Sequence, residues 1–167
     1  EVALADYGSH KIAAEARESL EGMVNQIKGL GYYKVTSIYR SKATQQVIWD
    51  RYYNGFRAVG SSKEEAERLT GAKVAVPGTS EHHLGLAVDV LNVDNAQKKA
   101  LEWLGAHCWE YGFILRYAEE KAPITGIISE PWHFRYVGTE VSMAMKDTGL
   151  CLEEYLGAPA VKDSTIE

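Results

Sequence analysis

Histidine is scarce in this chain, five in 167 residues, and cysteine scarcer, with two. Neither Cys108 nor Cys151 belongs to a Cys-x-x-Cys pair, so a thiolate zinc ribbon or finger is excluded. Cys108 falls on the apolar stripe of a predicted helix and reads as a buried free thiol, a Cys108–Cys151 disulfide being the alternative. Positive charge is also short: 18 Lys and Arg stand against 23 Asp and Glu, for a formal charge of −5. No basic cluster appears, so a nucleic-acid partner, which would need one, is not expected. Apolar runs fall well short of the roughly 20 residues that span a membrane, so no transmembrane segment is expected. The N-terminus lacks the basic and apolar regions of a secretory signal, although a signal or anchor upstream of Glu1 is compatible with the sequence. Repeats, low-complexity tracts and evident linkers are missing too. One domain over 1–167 is the expectation, with a composition, 46% hydrophobic and 25% charged, that suits a packed globular chain.

Apolar residues at Ile12, Ala16, Leu20, Met23, Val24, Ile27 and Leu30 follow helical spacing, predicting a helix from about 10 to 30 with Gly29 and Gly31 as stops. Lys34 to Arg40 carries β-formers and predicts a strand, and residues 42 to 55 return to helix. Ser62-Lys63-Glu64-Glu65 reads as a capping box for a short helix closed by Gly71. Pro77-Gly78 marks a loop, and the apolar run around Asp89 a buried strand. Asp94-Asn95-Ala96-Gln97 caps a helix whose stripe includes Leu101, Leu104 and Cys108 and which ends at Gly112. Phe113 to Arg116 suits a short strand. Trp132 to Val137 alternates, with Trp132, Phe134 and Tyr136 on one side and His133, Arg135 and Val137 on the other. Two short helices, Thr139 to Gly149 and Leu152 to Leu156, precede a frayed end. Without regular strand–helix alternation, the expected class is α+β with an antiparallel sheet.

Against this background the polar residues of two segments stand out. Asp89 lies among Ala87, Val88, Val90 and Leu91, where an unpaired carboxylate costs several kcal/mol (roughly 3–5 for a charge left without its partner). A divalent metal shared with His133 and one of the adjacent pair His82–His83 would meet that charge. The donor set is then two imidazoles and a carboxylate, with a fourth tetrahedral position open to water. Catalytic zinc lowers the pKa of bound water toward roughly 7. Amide hydrolysis also needs a base that later serves as an acid, and Glu130, three residues before His133, is the candidate. Pro131 forbids regular helix there, so a turn could bring Glu130 and His133 to one side of a cleft. His10 and His107 fall in predicted helices and read as surface or structural residues.

Ser80-x-His82-x-x-Gly85-x-Ala87-x-Asp89 together with Glu130-x-x-His133 resembles the signature of the VanY-type D-Ala-D-Ala carboxypeptidases, zinc peptidases of bacterial cell-wall peptides. Ser37-Ile38-Tyr39-Arg40-Ser41 with Gln45 is similar to a third block of that family, which commonly has glycine where Ile38 stands. The blocks extend from about 35 to 138 in the family's order. The resemblance implies His82, Asp89 and His133 as ligands of one Zn2+ per chain, Glu130 as catalytic base, and Arg40 as holder of the substrate's terminal region or of the oxyanion. It makes Gln45 and Ser80 candidate hydrogen-bond partners of the peptide and Trp132 a wall of its pocket. The implied fold is a small antiparallel sheet flanked by helices, of the Hedgehog/DD-peptidase-like kind.

The implied reaction is removal of the terminal D-Ala from peptidoglycan stem peptides or their precursors, in the bacterial cell envelope outside the cytoplasm, a cytoplasmic location being the alternative. Loss of D-Ala-D-Ala ends would deplete the target of glycopeptide antibiotics such as vancomycin. An L,D-carboxypeptidase trimming tetrapeptides is the alternative on the same scaffold, and a catalytically silent peptidoglycan-binding module the alternative of another class. Retention of Glu130 argues against the latter, because a structural zinc site needs no base.

Overall fold

The computed structural model describes residues 2–30, 33–92 and 97–159. The cap expected at Asp94 to Ala96, the stop at Gly31 and the fraying of residues 160–167 lie outside them. In chain order the elements are β1 (Leu4–Tyr7), β2 (His10–Ala13), α1 (Arg17–Gln26), β3 (Tyr33–Ser37), α2 (Lys42–Ala58), α3 (Lys63–Gly71), β4 (Ala87–Asn92), α4 (Gln97–His107), β5 (Phe113–Leu115), α5 (Ala122–Thr125), β6 (His133–Tyr136), α6 (Thr139–Lys146) and α7 (Leu152–Tyr155). Strands β3, β4, β6 and β5 form an antiparallel sheet in that order, and β1 pairs with β2 as a separate hairpin. The α+β expectation is met.

Where the helix predicted from residue 10 begins is a correction. Residues 10–13 are strand β2, paired with β1 through Leu4↔Ala13 and Tyr7↔His10, and the α-helix starts only at Arg17. Ile12, Ala13 and Ala16 are all buried, so the apolar spacing fits either reading locally. Tertiary hydrogen bonds decide it: Ala13 N donates to Gly85 O at 2.9 Å, and Lys11 O accepts from Tyr39 N at 2.9 Å. The hairpin thereby braces both motif-bearing loops from behind.

Side-chain alternation sorts the sheet into two faces. Val88 and Val90 of β4, Phe134 of β6 and Phe113 of β5 are buried with Leu20, Met23 and Val24 of α1 and Ala100 and Leu104 of α4. This is the apolar core. Asp89 and His133 are direct cross-strand partners on the opposite face, and a bulge between Val35 and Ser37 brings Ser37 opposite Asp89. Ser37, Asp89 and His133 thus form one row across three strands. Trp132 departs from the predicted alternation because β6 starts only at His133; its side chain lines the cleft over that row.

Ser41 and Ser62 cap α2 and α3, their hydroxyls accepting from Thr44 N and Glu65 N. The helix predicted to run to Gly112 is α-helical to His107 and 3-10 over Cys108–Tyr111. Cys108 and Cys151 are both buried free thiols, so no disulfide joins them. Burial pushes the Cys108 thiol up to about 12.

Candidate metal centre and cleft

A single 3-10 turn, Glu81–Leu84, presents the first imidazole. Ser80 opens it, its Oγ accepting from His82 N at 3.3 Å, and Gly85 closes it at φ +66°. A Cβ on Gly85 would lie 2.8 Å from Ala13 N and from Leu4 Cδ2. Only glycine allows that turn to rest against the hairpin. Within it His82 and His83 take opposite tasks. His83 Nε2 accepts from Gly78 N at 3.1 Å, leaving Nδ1–H to donate to Arg40 O at 2.7 Å. His83 therefore ties the Pro77-Gly78 loop to the Arg40 segment. The His82 Nδ1 lies 2.6 Å from Ile38 O, so it carries the proton and Nε2 keeps its lone pair, 3.4 Å from Asp89 Oδ2.

Ile38 occupies the position at which the resemblance expects glycine. Its side chain is fully buried in the core while its carbonyl orients His82. Backbone does the work there, which is why the departure removes no chemical group.

His133 is oriented in the same manner from the other side. Its Nε2 lies 3.4 Å from Glu81 Oε2 and its Nδ1 3.0 Å from Asp89 Oδ1. One ligand atom each from His82, Asp89 and His133 gather within 4.8 Å of one another. Imidazole lone pairs fixed by N–H donation to a carbonyl and to a carboxylate, converging on a second carboxylate, are chemically suited to zinc. Burial would raise Asp89, but hydrogen bonds from His133 and His82 hold its carboxyl far below the usual range. Burial would lower His133, yet Asp89 and Glu81 raise it to about 9 in the absence of a cation. The cluster is built for a positive charge and takes a proton when no metal is bound.

Glu130 Oε2 stands 3.7 Å from His133 Nδ1. The turn over Pro131, closed by His133 N donating to Glu130 O at 3.0 Å, brings them together. Burial, helped by the nearby Asp89 charge, pushes the Glu130 carboxyl up to about 7, with His133 opposing. Arg40 Nη2 donates to Ser37 Oγ at 2.8 Å and Asp89 Oδ2 at 3.3 Å, and Nη1 donates to Gln45 Oε1 at 2.9 Å. Among the described residues, three of its five N–H donors are thus used. Gln45, 1% exposed, passes its other end to Ala75 O at 2.8 Å and so holds Arg40 to the loop after α3. Arg40, Gln45, Ser80, Glu130 and Trp132 line one cleft of about 390 Å³ with the three clustered residues. His10 and His107 lie elsewhere, on Val35 O and Glu110.

Glu81, Arg116, Tyr117 and Glu153 were not singled out in the sequence. Glu81 accepts from Arg116 Nε at 2.8 Å and sits 3.3 Å from Arg135 Nη1. Burial opposes its ionisation, but the His133 hydrogen bond and the two guanidinium groups bring it down to about 2. The far edge of Arg116 is held by both oxygens of Glu153 at α7. The Tyr117 ring packs 4.9 Å from that of His133 and under the Arg116 guanidinium at 4.7 Å. Only the adjacency of Glu81 to His82 offered a local sign of this support.

Buried imidazoles and a carboxylate converging on the floor of an open cleft, with a second carboxylate alongside, form the layout of a mononuclear metallopeptidase on an α+β scaffold. The chain belongs to the VanY D-alanyl-D-alanine carboxypeptidase family, whose model matches residues 9–139. A D-alanyl-D-alanine carboxypeptidase of Enterococcus faecalis is 43% identical over 141 residues, covering 82% of this chain and 52% of that protein. This chain spans about half the length of the curated relatives it matches. Among solved structures, VanYB in complex with D-alanine-D-alanine superposes with a TM-score of 0.88 at 37% identity, covering 94% of this chain and 89% of that one. The E175A mutant of a vancomycin-resistance D,D-pentapeptidase VanY, in complex with Zn(II), gives a TM-score of 0.86 at 38% identity, covering 93% and 90%.

Proposed function

We propose that the chain is a zinc-dependent D,D-carboxypeptidase that releases the terminal D-Ala from peptidoglycan stem peptides or their precursors. The observation that carries the reading is Glu130 beside the His82, Asp89 and His133 donors in an open cleft. A structural metal site would have no use for that carboxylate. His82 Nε2, Asp89 and His133 Nδ1 would hold the ion. Zinc supplies a Lewis acid for the scissile carbonyl and a water acidic enough to attack near neutral pH.

The remaining work falls to the chain's own groups. Glu130 accepts the proton of the attacking water and returns it to the nitrogen of the departing D-Ala, and its raised affinity for a proton suits both transfers. The remaining donors of Arg40 would serve the reacting carbonyl or the terminal carboxylate, with Gln45, Ser37 and Asp89 fixing the fork. Ser80 and Trp132 border the peptide. Action on stem peptides of the assembled wall would put the enzyme at the cell envelope, outside the cytoplasm. No helix among the described residues is long and apolar enough to cross a membrane.

Zinc-loaded protein incubated with stem pentapeptide and tetrapeptide tests the reading. Release of D-Ala from the pentapeptide is expected. Release from the tetrapeptide alone would assign the L,D-carboxypeptidase reaction instead, and binding without release from either would assign a silent binding module.

A further inference from the structure

The cleft changes character along its length. Its acidic residues, Glu81, Asp89 and Glu130, all belong to the metal centre or touch it. The same walls also carry Arg51 and Tyr52 of α2 and Lys73 of the loop after α3. Arg51 lies against the Tyr52 ring at 5.4 Å. Among the described residues neither Arg51 nor Lys73 has an ion-pair partner, whereas Arg17, Arg40, Arg116 and Lys121 all do. On a chain of net charge −5, two cations without an ion-pair partner among the described residues in the wall of the cleft are a local reversal of sign.

We propose that Arg51 and Lys73 bind a carboxylate carried by the peptide substrate on the acyl side of the scissile bond. The inference rests on the carboxypeptidase reading above. Its geometry comes from α2. Gln45 touches Arg40 at the reacting centre, and Arg51 follows six residues later on the same helix, about 9 Å along its axis. An extended residue spans at most about 3.6 Å, so the single departing residue covers less than half of that separation. The acyl side reaches it with its third residue. An acidic residue at that position would meet the guanidinium and ammonium, with the Tyr52 ring as the apolar floor beneath the intervening chain.

Two peptides ending in D-Ala-D-Ala decide the matter, identical except that the third residue before the scissile bond carries a free carboxylate in one and a carboxamide in the other. The zinc-loaded protein is expected to favour the acid about fivefold in kcat/KM, chiefly through KM, as exposed ion pairs allow, and added salt should shrink the preference. The double variant Arg51→Gln/Lys73→Gln should turn over both peptides at the rate the unaltered protein shows for the amide. Equal use of the two peptides by the unaltered protein, or a preference that survives in the double variant, overturns the inference. If neither peptide is cleaved, the carboxypeptidase reading fails separately. Calorimetric binding of the same pair to Glu130→Gln protein then reads the preference directly, with loss in the triple variant supporting the carboxylate site and equal affinities overturning it.

Discussion

At the scale of single residues, the site divides labour among carboxylates that differ only in surroundings. Asp89 is stabilised as an anion by two imidazoles and Arg40, and Glu81 by His133, Arg116 and Arg135, whereas Glu130 lies where burial wins. Glu130→Gln should keep its zinc, measured by metal analysis after dialysis, and lose D-Ala release by roughly 10²–10⁴-fold. The base must be ionised to accept a proton, so kcat/KM should fall on the acid side, with the limb at or below pH 7 because bound zinc draws the carboxyl lower than its metal-free value of about 7. His133 governs metal uptake. It holds a proton up to about pH 9 without a cation, and the proton must leave for Nδ1 to ligate. Apparent zinc affinity should therefore drop about tenfold for each pH unit below 9, read by chelator competition.

At the scale of elements, the 3-10 turn of His82 and the short α7 carry the most consequence for their length. Gly85→Ala places a side chain at positive φ and against the hairpin backbone, a loss of about 3 kcal/mol or more in unfolding free energy by denaturant titration. α7 lies beyond residues 9–139, yet Glu153 anchors Arg116, Arg116 anchors Glu81, and Glu81 orients His133. Arg116→Ala takes away the guanidinium that two half-buried carboxylates share, leaving Arg135 beside Glu81, and should destabilise by about 3 kcal/mol. Glu81→Gln keeps the volume but weakens the acceptor for His133 Nε2–H and removes the anion facing Arg116 and Arg135, so zinc affinity should fall about 10–100-fold and the metal-free protein should melt at a lower temperature at neutral pH.

For the molecule as a whole, acid sensitivity follows from the same network. The Glu81 carboxyl is held at about 2 when folded, below its ordinary 4.5, so its contribution is complete above that ordinary value and is lost as pH falls toward 2. Denaturant titrations at pH 6 and pH 3 should show a smaller loss of stability on acidification for Glu81→Gln than for the unaltered chain. Little of that network could be read from the linear chain. Arg116 closes a predicted strand and Glu153 opens a predicted helix, and nothing local pairs positions 37 apart. Asp89 was legible because a carboxylate among β-branched residues contradicts its own surroundings, and Glu130 because Pro131 removes the helical alternative. The hairpin was not, since Ile12, Ala13 and Ala16 satisfy a helical stripe as well as a strand edge until Gly85 and Tyr39 supply the hydrogen bonds.

By itself the sequence determined which groups could hold a cation and handle its water, because donor type, scarcity and an apolar setting are properties of the chain. It also determined the α+β class, through its periodicities. Only the tertiary structure decided which nitrogen of each imidazole faces inward, what braces His133 from behind, and which cations line the cleft. Those outcomes depend on backbone carbonyls and on charged partners brought from distant segments, and such contacts exist only once the sheet has set its register.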